Sequence, residues 1–195
     1  MNNKLIHLIL IILIAAVSML VYFETSKLSY VADDRPLIFE NGDFLKDWSN
    51  LKTAFVSPLP VKTYEPIPFY RPIVSLTYFL NFHLSKTIQA YHLFNLGVHT
   101  LNTILLYLLI FLLFKDILLS VFTSLFFAAQ PIHIGSVVWI SGRTDLIACF
   151  FLLLTVILFI KRKDHRKLPR QLLLAGASVS YILCLFSKET TLALP

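Results

Sequence analysis

Charge and cysteine are both scarce in this sequence. Asp, Glu, Lys and Arg make up 14% of its 195 residues, and there are two cysteines. Cys149 and Cys184 both lie inside apolar runs, which argues against a disulfide framework or a cysteine metal cluster and leaves the redox compartment unread. No internal repeat, tetratricopeptide-like period or low-complexity tract is evident, so repeat arrays drop out. No small-x-small cleavage pattern follows the first apolar run. That run, with Lys4 before it, therefore reads as an uncleaved anchor rather than a removed signal peptide.

What is abundant is apolar surface. The chain is 57% hydrophobic with a mean hydropathy of +0.75, against about 45–50% apolar residues in soluble domains. The excess is gathered into runs approaching the roughly 20 residues that cross a bilayer. The expected fold is an all-α polytopic membrane protein, a single membrane domain over residues 1–195, with spans at about 5–23, 92–114, 117–130, 145–160 and 171–187 and a long outer loop at 24–91. A net charge of +6 would suggest nucleic acid for a soluble protein. Here six of the basic residues fall in the ten-residue stretch 161–170, so topology explains them and no nucleic-acid partner is expected. The partner is the lipid bilayer.

Orientation follows from basic residues in short loops. With the amino terminus cytoplasmic, Lys4, Lys115 and the 161–170 cluster are all cytoplasmic. The loop at 24–91, which carries seven basic and seven acidic residues, then faces the periplasm, the cell exterior or a lumen, together with 131–144 and 187–195. Pro36, Pro58, Pro60, Pro66 and Pro68 argue against long regular elements late in that loop. Residues 71–84 read as a helix opened by Pro72 and too short to span. Tyr70, Tyr78, Phe79, Phe82 and His83 suit a helix lying at the interface, with a short buried connector as the other reading.

Several polar groups then share the outer side. His92, Asn95, His99 and Asn102 recur at intervals of three and four and form one stripe of the second span. Lipid satisfies neither imidazoles nor amides, so the stripe faces other helices or a polar cavity. It reads either as interhelical hydrogen bonding or as the wall of a substrate cavity with His92 nearest the mouth. Asp33 and Asp34 read either as a solvated acidic turn or as a general base and ligand pair for magnesium or manganese. In "SGRTD", Arg143 could clamp a phosphate, while Thr144 and Asp145 could simply cap and charge a helix start. Trp139 reads as an interface anchor. Lys188 and Glu189 either flank the last span or give a second phosphate contact, and His133 sits on the same side. A small transporter is a weaker reading, since no broken helix pair or inverted repeat is visible.

The segments "YVADDRPLI", "FYRPIVSLTYFLNFHL", "YHLFNLGVHTLNTILLYLL", "FAAQPIHIGSVVWISGRTDLIACFFLLL" and "LFSKETTLALP" occur in an order that resembles the amino-terminal part of GT-C class glycosyltransferases. In particular, the order is similar to that of the transmembrane and tetratricopeptide-repeat (TMTC) O-mannosyltransferases and their bacterial relatives. The resemblance implies transfer of a mannose-type sugar from a polyprenyl phosphate to a protein hydroxyl. Asp33 or Asp34 would be catalytic base or metal ligand, with Arg143, Lys188, Glu189 and His133 near the lipid phosphate and His92, Asn95 and His99 in the cavity wall. The family often has His-Pro-x-His followed two residues later by Glu. Here Gln130 stands for the first histidine and Gly135 for the glutamate. The family also continues into more spans and repeats, so this chain reads as an amino-terminal portion, or as a minimal protein whose missing helices come from a partner chain. A non-catalytic membrane scaffold is the competing class.

Overall fold

The structure, a computed structural model, describes residues 3–31, 33–59, 69–163 and 169–193. Pro60, Pro66 and Pro68 and the middle of the 161–170 basic stretch lie outside the described residues. Among those described there is no β-strand.

The first helix, α1 (Asn3–Tyr22), runs directly into a 3-10 turn over Phe23–Lys27, and together they give an apolar span of 24 residues, Lys4–Lys27. Ile14, Ser18 and Tyr22, spaced by four, are its buried stripe, while Leu8, Ile12 and Leu20 stay at least half exposed. Exposed apolar surface on such a helix is what hydrocarbon covers. Two small helices, α2 (Gly42–Lys46) and α3 (Leu51–Val56), follow in the long loop, and then α4 (Pro72–Leu84). The helix expected over 71–84 is thus present and opens on Pro72. The bundle continues with α5 (Ile88–Phe114), α6 (Ile117–Ala129), the single turn α7 (Ile134–Val137), α8 (Arg143–Lys161) and α9 (Arg170–Leu185).

Three helical segments are long and apolar enough to cross a membrane, namely those at Lys4–Lys27, Ile88–Phe114 and Arg143–Lys161. A fourth crossing arises if α6 and the segment Pro131–Val137, bent by 48° at the break, count as one. Gln130-Pro131 causes that break, because proline cannot donate into the preceding turn. The fifth expected span, α9, has 16 residues, about 24 Å at 1.5 Å per residue, which is shorter than a full hydrocarbon thickness. The chain is an all-α polytopic membrane protein.

Side-chain contacts fix the helix directions. Ser18 meets Thr100 at 3.2 Å, Tyr22 donates to the Gln130 carbonyl at 2.5 Å, and His7 meets the Tyr107 hydroxyl at 2.6 Å, so α1 and α5 run antiparallel. Asn102 donates to the Leu146 carbonyl (2.9 Å) and Asn95 accepts from Arg143 (3.0 Å), so α5 and α8 run parallel. Ser180 donates to the Phe151 carbonyl, and Cys184 to that of Ala148, which sets α9 antiparallel to α8. The turn between α5 and α6 is two residues long. Lys115, at φ 56°, closes α5 by donating to the Phe111 carbonyl, and Asp116 caps α6 through the Leu119 N–H. One end of the bundle consequently gathers Tyr22, His92, Gln130, Arg143 and Lys188. The other gathers Lys4, Lys115 and Lys161.

The described part of the long loop packs through short helices. Ile38, Leu45, Ala54 and Val74 form a hydrophobic cluster with Tyr78, Phe79, Tyr91, Ile140 and Ile147. Phe79 is fully buried between the Phe44 and Trp48 rings, 5.8 and 5.9 Å away, and a fully buried phenylalanine contributes about 1.5–3 kcal/mol. The loop is therefore a small helical lobe seated on the gathering end of the bundle. Packing at that end is tightest at Gly142, where an added Cβ would collide with the Gly135 carbonyl and lie 2.8 Å from Ser136 Cα. Gly142→Ala is expected to lose about 1–3 kcal/mol in a detergent thermal-shift assay. Gly135→Ala, whose Cβ meets nothing within 4 Å, is expected to be nearly neutral.

Candidate functional site

At the gathering end, the two adjacent aspartates have opposite fates. Asp34 is fully buried. Its Oδ1 accepts from the Ser141 N–H (2.8 Å), and its Oδ2 from the N–H groups of Ile140 (3.1 Å) and Val31 (3.2 Å). Residues 140 and 141 immediately precede α8, whose N-cap position, Gly142, has no side-chain cap. Asp34 thus supplies from more than a hundred residues away the negative charge that a helix start favours. Thr144, a candidate cap by sequence, instead has its hydroxyl 3.5 Å from the Ser141 carbonyl. Asp33, one residue earlier, is exposed, and its carboxylate has no partner among the described residues.

Arg143 is buried completely. Its Nε donates to Asn95 Oδ1 (3.0 Å), Nη1 to Thr77 Oγ1 (3.2 Å) and Nη2 to the Tyr91 carbonyl (3.3 Å). The rings of Phe94 and Tyr78 lie 4.4 and 4.7 Å from the guanidinium carbon, within cation–π range. The guanidinium has no solvent exposure, and three of its nitrogens are engaged within the protein. The side chain joins α4, α5 and α8.

The stripe on α5 faces helices. His92, Asn95, His99 and Asn102 are all fully buried. Asn95 holds Arg143 with its oxygen and the Trp139 carbonyl with its amide (2.8 Å). His99 approaches the Ala128 carbonyl at 3.4 Å, and its ring lies 5.2 Å from those of Tyr22 and His133. His133 also packs on Phe127, so it belongs to a cluster with α1 and α6. The His92 nitrogens approach the Leu28 and Val138 carbonyls without reaching hydrogen-bond geometry. Trp139 is 43% exposed, as an interface anchor would be.

The carboxyl-terminal residues close the site. Lys188 pairs with Asp145 in the first turn of α8. Arg71, just before α4, forks onto Glu189, with Nε to Oε2 at 3.0 Å and Nη2 to Oε1 at 2.6 Å. The Arg71 hydrogen bonds hold the Glu189 carboxyl below its ordinary value, against a smaller opposing effect of burial. Its contribution is therefore present at neutral pH and is lost as pH falls through that lowered value. Tyr78 lies among these charges. Burial pushes its phenol up to about 12, with Arg143 and Arg71 pulling it down and Asp34 pushing it up. It is therefore a neutral hydroxyl at neutral pH. Arg71 and Thr77 are not among the residues the sequence singles out, and Tyr78 is singled out only as suiting an interfacial helix; the basic residue against Pro72 at the head of that helix was the available signal.

A divalent cation does not fit the aspartate pair as placed. Both Asp34 oxygens are occupied by backbone N–H groups, and among the described residues no three His, Cys, Asp or Glu side chains converge. Beside Arg143 lies an apolar cavity of about 260 Å³ between α4, α5 and α8, lined by Ile73, Leu76, Thr77, Phe94 and Phe151 among others.

Fold and site together define a polytopic helical membrane protein with a loop carboxylate exposed at one end of its bundle. The sequence places it further: this is a region related to the TMTC protein O-mannosyltransferases. It is 33% identical to human protein O-mannosyl-transferase TMTC3 over 157 residues, 78% of this chain and 17% of that protein. It is 26% identical to Drosophila melanogaster protein O-mannosyl-transferase Tmtc1 over 181 residues, 91% of this chain and 21% of that protein. Against human TMTC1 the identity is 37% over 98 residues, 49% of the chain and 11% of the relative. The chain thus spans about a fifth or less of the length of these curated relatives. No family model and no solved structure matches it.

The unlike environments of the two aspartates predict unlike variants. Asp34→Asn replaces an acceptor by an N–H donor facing backbone N–H groups, and is expected to cost on the order of 2–3 kcal/mol. Asp33→Asn is expected to stay within about 0.5 kcal/mol of the parent, as ordinary surface changes do. Thermal unfolding of both variants in detergent checks the pair.

Proposed function

We propose that this chain forms the catalytic end of a GT-C-like glycosyltransferase that moves a mannose-type sugar from a polyprenyl phosphate to a protein hydroxyl. The observation that carries the reading is Asp33, an exposed carboxylate without a partner among the described residues, beside a neighbour whose own carboxylate accepts three backbone N–H groups. Similarity to proteins named O-mannosyl-transferases supports it. So does the position of Asp33 at the bundle end opposite Lys4, Lys115 and Lys161, which by the positive-inside rule is the outer or lumenal side.

The reaction is a single displacement. Asp33 accepts the proton of a Ser or Thr hydroxyl. The oxygen attacks the anomeric carbon, the bond from that carbon to the phosphate oxygen breaks, and the electron pair leaves with the lipid phosphate. General-base help of this kind contributes about 10²–10⁴-fold. Lys188, partly exposed beside Asp145, lies at the end where the phosphate leaves. Arg143 acts from behind, holding α4 against α5 and α8. Further helices, in the same gene product or from a partner chain, complete the donor cavity in this reading. The competing reading is a non-catalytic membrane scaffold, and the closed, fully buried stripe from His92 to Asn102 is the observation in its favour.

A transfer assay with radiolabelled mannosyl polyprenyl phosphate and a Ser/Thr-rich acceptor peptide, on the full chain in lipid vesicles, separates the two. Transfer that falls roughly a hundredfold in Asp33→Asn, with unchanged thermal stability, is the expected result. Equal, measurable transfer by parent and Asp33→Asn, with those further helices present, favours the scaffold.

A further inference from the structure

Three cationic side chains stand near the head of α8 and α4, and they differ in what they can still offer an anion. Arg143 is fully buried with three donor atoms engaged. Lys188 is a point charge already paired with Asp145. Arg71 differs from both. Its side chain is 21% exposed and that of its partner Glu189 is 45% exposed, so solvent reaches the pair from the carboxylate side. Both of its bonds to Glu189 are side chain to side chain, and its guanidinium carbon sits 4.3 Å over the Phe69 ring, which holds the fork in one orientation.

A guanidinium fork receives the two oxygens of a carboxylate or of a phosphate in the same parallel geometry. Glu189 therefore occupies the position that a phosphate oxygen pair would take. Replacing it exchanges one anion for another on a fork that solvent reaches from the carboxylate side. A phosphate monoester brings more negative charge and a further acceptor oxygen. Arg71 also acts electrostatically on the Tyr78 hydroxyl, as Asp34 does. The fork and the aspartate loop thus bear on one point at the same end of the bundle.

We propose that Arg71 is the phosphate-binding residue of this site and that Glu189 is its internal placeholder, displaced when a lipid phosphate monoester binds. The assignment rests on the donor proposed above, whose phosphate is a diester until transfer releases it as the lipid monoester, and it replaces Arg143 in the phosphate-contact role. No covalent step is added. One anion is exchanged for another on the same fork, and Glu189 is released toward solvent with the 3-10 turn Glu189–Ala193 that carries it.

The test is a binding experiment that requires no sugar transfer. Farnesyl phosphate is titrated against the full chain in detergent micelles, with neutral farnesol and inorganic phosphate as separate arms. Farnesyl phosphate is expected to bind the parent more tightly than farnesol does. Arg71→Ala should weaken the farnesyl phosphate arm roughly tenfold or more, the loss of a charge-assisted pair, and leave the farnesol arm unchanged. Glu189→Gln should tighten farnesyl phosphate several-fold, and Arg71→Ala/Glu189→Gln should behave as Arg71→Ala alone. Parallel Arg71 and Glu189 effects on inorganic phosphate would mark a general phosphate site with the lipid tail adding affinity. Unchanged or weakened farnesyl phosphate binding in Glu189→Gln overturns the proposal, and this variant keeps Arg71 should Arg71→Ala fail to fold. Binding that follows these expectations while Asp33→Asn leaves transfer intact would retain the phosphate site and discard the proposed base.

Discussion

Everything at the gathering end of this bundle answers to one buried guanidinium. A charged group near a membrane-embedded helix is costly unless it is paired and hydrogen-bonded. Arg143 is the first residue of α8 and has no exposure, so its donors must be met from within. Asn95 meets one from α5, Thr77 another from α4, and the Tyr91 carbonyl a third. Asp34 adds a compensating charge from the loop while binding the backbone just ahead of Arg143. Take away the arginine, and Asn95 Oδ1 and Thr77 lose the partner that joins α4 and α5 to α8. The lobe of small helices is anchored by this arrangement as much as by the burial of Phe79.

The helical skeleton was readable because lipid imposes a simple rule. Runs of apolar residues had to be helices, and polar residues repeating at three and four had to face inward; α1, α5, α6 and α8 follow from that. The boundaries that moved did so for local reasons. The sequence suggests a second span from His92, but α5 begins at Ile88, since its first turn lies in the lobe rather than in hydrocarbon. The loop's small helices were hidden because their stability comes from contact with α4 and the bundle end, not from any periodicity of their own. A five-residue helix such as α2 has no room to show a period.

Asp33, Asp34, Arg143, Lys188 and Glu189 all come to one end of the bundle, and the sequence pattern shows neither their partners nor the part taken by Arg71 and Thr77. Which of them is spent on structure depends on partners far away in sequence, such as Asp34 with Ser141 or Arg71 with Glu189, separated by 107 and 118 positions. No spacing rule connects such positions. Lys188 and Glu189 looked alike as flanking charges, yet one pairs with α8 and the other with the residue before α4.

The division between adjacent aspartates is also a physical argument about catalysis. A base works through a fixed distance to the proton it takes, and an exposed loop side chain ordinarily lacks that fixity. Here the fixity is supplied one residue later. With the Ile140 and Ser141 N–H groups on Asp34, the turn is tied to the start of α8, and in the proposed mechanism Asp33 takes its position from that tie. Two free aspartates would repel each other and move with the loop, whereas two bound ones would leave no acceptor for a proton. Among the described residues one aspartate is bound and the other is not, which in the proposed mechanism reconciles a defined position with an available lone pair.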